Sequence, residues 1–247
     1  MTSSPHVTID FDPSSVKKHV AQGYNIVAVD VLRATSTIVV ALAQGAKEVI
    51  PCAEIEEAKL YQKSENALLI GERNAEIVPG FDFTNSPVDL SQEDLTGKII
   101  AITTSTGTKV IVEGIGANNI LIGSTLNARS VAEKMQQIKG NWAVIGAGTR
   151  GEFRLEDQVG CALIAHYYSQ LEDIKIDPNT QNIINTYTQN VEMHIRNSPS
   201  TKKLIQIGRK SDVDFVISAL NKYEIVPIVQ IKKQGKSERL SITRSVI

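Results

Sequence analysis

Five short clusters hold most of the side chains in this sequence that can do chemistry: DVLRATST (30–37), GERNAEIVPGFDFTNSP (71–87), TTSTGTK (103–109), GSTLNA (123–128) and GAGTRGEFRLED (146–157). Arg33, Arg73 and Arg150 stand on three of them. A guanidinium fork matches the oxygens of a phosphate, carboxylate or sulfonate, so the three together point to a small polyanionic substrate. The same clusters carry Asp30, Glu72, Asp82, Glu156 and Asp157. Such a set repels an anion unless a cation lies between them. Magnesium fits that role: it takes oxygen ligands, keeps several waters, and is commonly shared between carboxylates and substrate phosphate oxygens. Structural explanations compete. Each arginine can bridge a neighbouring acid, Asp30, Glu72 or Glu152, and Glu156 and Asp157 sit near a helix start, where the dipole favours acids. Asp30, at the end of a strand, has no such explanation.

The turn Ser105, Thr106, Gly107, Thr108 leads into an apolar helix, so its backbone N–H groups and the helix dipole can hold an anion. Capping of that helix accounts for the same hydroxyls. The turn is not a Walker loop, because Lys109 follows Thr108 and no glycine precedes at the required distance. His6, His19, His166 and His194 have no metal-binding spacing, and no serine occupies GxSxG. GAGTRGEF comes nearest to a dinucleotide fingerprint, but it falls late in the chain and only Glu172 or Asp173 follows as the acid, so no dinucleotide is expected.

The elements that must position these groups are legible from periodicity. VTIDF, NIVAVDV, EVIPC, ALLIG, KIIAIT, NILIGS, WAVIGA and IVPIVQI read as strands. SSVKKHVAQ, STIVVALAQ, EIEEAKLYQK, TKVIVEGIG, LNARSVAEKMQQI and LEDQVGCALIAHYYSQL read as helices. Alternation of the two predicts an α/β protein, a layered α/β/α sandwich around a mainly parallel or mixed sheet. All five clusters then follow strands and project from one carboxyl-end edge, where open α/β sheets bind ligands. With 247 residues and no low-complexity linker, the chain reads as one α/β domain over 1–247. A polar helical cover is expected at about 172–203 and a frayed basic tail at 232–247.

Composition narrows the partners. Hydrophobic residues make up 42% and charged residues 21%, with a net charge of -1, an ordinary globular balance. Without a basic block there is no electrostatic reason to expect nucleic acid or an anionic membrane. No run approaches the ~20 apolar residues of a membrane helix, and MTSSPHVTIDFDP has no basic segment followed by an apolar one, so no signal peptide is expected. Cys52 and Cys161 are far apart and form no CxxC, which suits a reducing, cytoplasmic setting. A two-fold homodimer is compatible with the sequence, though no interface stripe can be separated from the core faces.

Taken together, the clusters resemble the magnesium-dependent 2-phosphosulfolactate phosphatases. VDVLRATSTIVVALAQGA, GERNAEIVPGFDFTNSP, TTSTGT, GSTLNA and AGTRGEFRLED occur in that family's order, and GRKSDVDFVISALNKYEIVPIV resembles its closing segment. The family usually has TTNGT where this chain has Ser105-Thr106-Gly107-Thr108, and glycines where Ala75 and Thr84 stand. The resemblance implies hydrolysis of 2-phospho-3-sulfolactate to sulfolactate and phosphate, a step in coenzyme M synthesis. On this reading Asp30 and Asp157, with Glu72, Asp82 or Glu156, hold magnesium, and Arg33 with the Ser105–Thr108 turn grips the phosphate. Glu72 joins Asp30 and Arg33 in catalysis. Arg73 or Arg150 takes the sulfonate or carboxylate, and Asn85, Ser124 and Asn127 orient the substrate or a metal-bound water. Attack by water and attack by Asp30 through an acyl-phosphate use the same residues. A different phospho-acid substrate, or a non-catalytic sensor that kept the anion pocket, would use the same loops.

Overall fold

The computed structural model describes residues 4–148, 154–234 and 237–245. In chain order the first half runs β1 (His6–Asp10), α1 (Val16–Ala21), β2 (Asn25–Val29), α2 (Ala34–Ala43), β3 (Glu48–Pro51), α3 (Ile55–Glu65), β4 (Leu68–Arg73), β5 (Glu76–Ile77), α4 (Pro87–Leu90), β6 (Ile99–Thr103) and α5 (Gly107–Glu113). The second half runs β7 (Ile120–Gly123), α6 (Ala128–Ile138), β8 (Trp142–Gly146), α7 (Leu155–Leu171), β9 (Lys175–Ile176), α8 (Pro178–Tyr187), α9 (Val191–Arg196), α10 (Pro199–Gln206), α11 (Lys210–Ser218), β10 (Val226–Gln234) and β11 (Ser237–Ser245). The strands form one mixed sheet in the order β5-β4-β6-β3-β11-β10-β7-β2-β8-β1-β9. Among the described residues no helix is long and apolar enough to cross a membrane.

Two parallel groups, β4-β6-β3 and β7-β2-β8-β1-β9, are joined by the antiparallel β10–β11 hairpin. Strands of the parallel groups are apolar on both faces because helices cover both. In β2, Val27 and Val29 join a core with α6, α7 and α8, whereas Ile26 and Ala28 turn to the opposite core with α2 and α5. In β6, Ile100 and Ile102 face that second core, and Ala101 faces α3. Helices therefore lie on both sides of the sheet, as the alternation of elements predicts.

Helix α2 is buried on every side from Ala34 to Leu42, since it packs against β3, β7, β10 and α5 together. A helix so enclosed must satisfy its own hydroxyls, because a buried unpaired one costs about 1–3 kcal/mol. Thr35 Oγ1 donates to Asp30 O, Ser36 Oγ to Val31 O, and Thr37 Oγ1 to Asn85 O. The hydroxyl-rich run after Arg33 thus builds the junction and fixes where Asp30 and Arg33 stand.

The C-terminal stretch 232–247, expected to fray, is strand over Ser237–Ser245 and sits in the middle of the sheet. Its charges looked unsuited to a buried strand because their partner is remote in sequence. Buried Glu48 accepts from Lys232 Nζ at 2.8 Å, Arg239 Nη1 at 3.1 Å and the Ser241 hydroxyl. Arg239 also pairs with Glu65 at 3.0 Å and lies over the Tyr61 ring. The stretch 172–203 is more than a polar cover: Ile183, Ile184 and Ile195 are buried in the core against α7.

The hydrogen bonds from Arg239, Lys232 and Ser241 hold the Glu48 carboxyl down at about 2, against burial, which acts to raise it. A depressed carboxyl contributes stability that is complete above its unfolded value and is lost as pH falls through the folded one. Glu48→Gln is therefore expected to cost about 3 kcal/mol at neutral pH. In urea melts its midpoint should converge on that of the parent as pH drops toward 2; a constant gap across that range would rule the mechanism out.

Candidate active site

A cavity of about 620 Å³ opens at the carboxyl ends of β2, β4 and β6 and is walled on its far side by α10. Asp30 and Arg33 reach it from the β2–α2 junction, Glu72 from the end of β4, and Thr104, Ser105 and Thr106 from the turn after β6. Asn85 also lines it. The convergence does not come from the single parallel edge expected from sequence: β4 and β6 run parallel to each other, but the antiparallel pairings β3–β11, β11–β10 and β10–β7 reverse β2 relative to them, and the cavity is where the loops of the two opposed groups meet.

The turn after β6 can approach Asp30 because residue 107 lacks a side chain. A Cβ on Gly107 would collide with Ala34 Cβ and Asp30 Oδ2. Asp30 Oδ1 accepts the Ala34 N–H at 3.2 Å, so this carboxylate also caps α2. Glu72 ties two loops together: Oε1 accepts from Ser105 N at 2.8 Å and Oε2 from Ala75 N at 2.7 Å. Ala75 lies in the left-handed region at φ 71°. Asp157, beneath the cavity, accepts from Val31 N at 2.9 Å and from Gly148 N at 3.2 Å, bracing the β2 and β8 loops against each other.

Asp30, Glu72, Glu156 and Asp157 are all buried, and their charges act on one another. Burial raises the Asp30 carboxyl to about 7; the charges of Glu156 and Glu72 add to this, against the Ala34 N–H and Arg33. Burial likewise raises Asp157 well above the usual carboxylate range, helped by Asp30 and Glu156. Burial raises Glu156 too, opposed by the hydroxyls of Ser200 and Ser198 and by Arg154. Glu156 Oε2 is buried with no hydrogen-bond partner.

Arg33 is not paired with Asp30. Its Nη1 donates to Asp212 Oδ2 at 2.8 Å, and its Nη2 lies 3.4 Å from Ala75 O. Asp212 is fully buried on α11, and its other oxygen accepts the Ser86 hydroxyl at 2.5 Å. A guanidinium carries more N–H donors than these contacts use, so Arg33 is held from behind with capacity left toward the cavity it lines.

Other residues expected at the site lie elsewhere. The Asp82 carboxylate accepts from Leu69 N, at the opening of β4, roughly 10 Å along the strand from Glu72 at about 3.3 Å per residue; it braces a loop. Arg73 is tied to Glu72 O and Thr103 Oγ1 and does not line the cavity. Thr108 is buried against Thr104. Ser124 bonds to Ser36, and Asn127 clamps Ser124 N, Ile122 O and Ile225 O; both are structural. Arg150 lies outside the described residues. Asn85 is brought in, with its Oδ1 buried and unpartnered, as is Oγ1 of Thr84 beside it. Missed from sequence were Asp212, Arg154, Ser200 and Lys203. Arg154 stood within a quoted cluster; the others lie in segments read only as cover or closing segment.

Among the described residues no three His, Cys, Asp or Glu side chains gather closely enough to form a preassembled metal cage. Magnesium does not need one, since it is often held by one or two carboxylates, waters and substrate phosphate. Asp30 with the orphaned Glu156 Oε2 fits that mode, whereas both Asp157 oxygens are already committed to backbone N–H groups.

A mixed, mostly parallel α/β sandwich with a cavity lined by buried acids and an arginine defines the class, and comparison with known proteins gives the family. The model of the 2-phosphosulpholactate phosphatase family matches residues 10–232. The "Probable 2-phosphosulfolactate phosphatase" of Clostridium tetani is 35% identical over 233 residues, 93% of this chain and 98% of its own. Its namesake in Thermotoga petrophila is 39% identical over 190 residues, 76% and 82% of the two chains. This chain belongs to the 2-phosphosulpholactate phosphatase family.

The raised carboxyls give a signed expectation. An acid whose folded value exceeds its unfolded one destabilises the protein as pH rises from about 4 to 7, because only the folded state resists ionisation. Without divalent cations, Asp30→Asn, which keeps the α2 cap, should raise the melting temperature at pH 8 clearly more than at pH 5, where only part of the penalty has accrued. Equal shifts at both values would show that charge repulsion is not the cause.

Proposed function

We propose that this protein hydrolyses a small phosphorylated hydroxy acid, 2-phosphosulfolactate, with magnesium, acting in the cytoplasm. The observation that carries the reading is the meeting of buried Asp30, Arg33 and the Ser105–Thr106 turn at one cavity, with buried Glu156 near enough to act on the Asp30 charge, in a chain whose relatives are named for that activity. Asp30 and Glu156 would hold the ion. Magnesium, when bound, offsets the negative charge of carboxylates and phosphoryl oxygens and polarises the bond to be cleaved.

The chain's own residues do the rest by positioning, which supplies most of catalysis in phosphoryl transfer. Arg33 binds phosphoryl oxygens through the N–H groups not used by Asp212 and Ala75 O. Ser105 and Thr106 offer hydroxyls from the turn after β6, and Glu72 fixes that turn by taking the Ser105 N–H. In the overall reaction water adds to phosphorus, the ester P–O bond breaks, and the alcohol leaves with a proton, giving sulfolactate and phosphate.

The test is phosphate release from 2-phosphosulfolactate by the purified protein. Turnover should vanish with excess chelator and return with magnesium, while the circular dichroism spectrum stays unchanged. Arg33→Lys, which loses the fork, should cut kcat/KM by more than about tenfold. It should also lower stability, because Arg33 is 3% exposed and paired with Asp212. Undiminished turnover in chelator would overturn the metal assignment, and absence of turnover with magnesium would overturn the hydrolase reading.

A further inference from the structure

A phosphoryl group occupies only a small part of a cavity of about 620 Å³, and the remainder has its own chemistry. The wall opposite Asp30 and Arg33 comes from α10, where Pro199, Ser200, Lys203 and Leu204 face the opening. Pro199 and Leu204, with Leu32 across from them, give an apolar stretch suited to a short carbon skeleton. Lys203 ends that wall with a cation.

Most of the cations placed near it are already paired. Arg196 bonds Glu192 and Asp214, Arg209 bonds Asp89, and Lys210 bonds Asp214. Lys203 makes no ion pair among the described residues, although it is exposed and lines the cavity. Its neighbour Lys202 is exposed as well but does not line the cavity. The fold holds Lys203 there firmly: the Ser198 hydroxyl caps α10 through Thr201 N at 3.0 Å, and Leu204 is buried beneath it.

We infer that Lys203 is the specificity-determining residue that binds the second anionic group of the substrate, the sulfonate or carboxylate carried on the carbon skeleton beyond the phosphate. An ammonium with rotatable donors suits an acid group presented at the open side of a cavity. The phosphate itself stays with Arg33 and the Ser105–Thr106 turn. This inference rests on the phosphatase reading and names which residue selects within it.

The experiment compares Lys203→Met, Lys203→Arg and Lys202→Met on two esters with magnesium present: 2-phosphosulfolactate and propyl phosphate, which lacks a second acid. Lys203→Met should raise KM for 2-phosphosulfolactate about tenfold or more, as expected for loss of a hydrogen bond between charged groups, with kcat within about threefold. It should leave propyl phosphate hydrolysis unchanged. Lys203→Arg should restore most of the affinity. Lys202→Met, which alters net charge equally, should match the parent on both esters. Equal losses on the two esters, no loss on either, or the same loss in Lys202→Met would overturn the assignment. If the parent hydrolyses neither ester, the phosphatase reading fails, and calorimetric binding of sulfolactate decides Lys203 separately. Weaker binding in Lys203→Met alone upholds it, and equal binding in all variants overturns it.

Discussion

Burying Asp30, Glu72, Glu156 and Asp157 together where the loops after β2, β4 and β8 come close is the constraint around which this structure is arranged. Unpaired carboxylates out of water are costly, and here three of the four are pushed above their ordinary range. What keeps three of them in place is that they serve the backbone as well. Asp30 caps α2, Glu72 joins the turns after β4 and β6, and Asp157 braces the loops after β2 and β8. The same contacts that organise the loops leave Glu156 Oε2 without a partner. The atoms that organise the loops are thus also those that would meet the proposed cation.

Arg33 shows how that cavity depends on distant parts of the chain. Its guanidinium is set by Asp212, 179 residues away, and Asp212 is in turn set by Ser86. Helix α11 can supply Asp212 only because α8 to α10 return across α7. The β10–β11 hairpin then closes the sheet between the two parallel groups, with Glu48 as its anchor. The C-terminal third of the chain thus completes a site whose conspicuous motifs all lie earlier.

Local pattern made the framework readable. NIVAV and WAVIG are buried on both faces, and runs of that kind announce strands covered on both sides; the single parallel edge expected for the clusters is not what forms, since the antiparallel hairpin, whose pairings are remote in sequence, sets the two strand groups in opposite directions. Residues whose role depends on a partner far along the chain were not readable. Ser124 and Asn127 look like binding residues but clamp backbone across Ile122 and Ile225. Asp82 looks like a ligand but faces Leu69 N. SERLSITRS looked too charged for a central strand because Glu48 lies some 190 residues earlier. Lys203 carried no motif at all, since an isolated lysine becomes informative only when a cavity is seen beside it.

The central claim, that the buried acids form a cation site governed by their protonation, is tested most directly by melting the protein with and without magnesium at pH 8 and at pH 5. Ligand that binds only the folded state stabilises it, so magnesium should raise the melting temperature by several degrees at pH 8. At pH 5, below the value of about 7 to which Asp30 is raised, protons compete for the same oxygens and the rise should disappear. No rise at pH 8, or an equal rise at both pH values, would contradict the account.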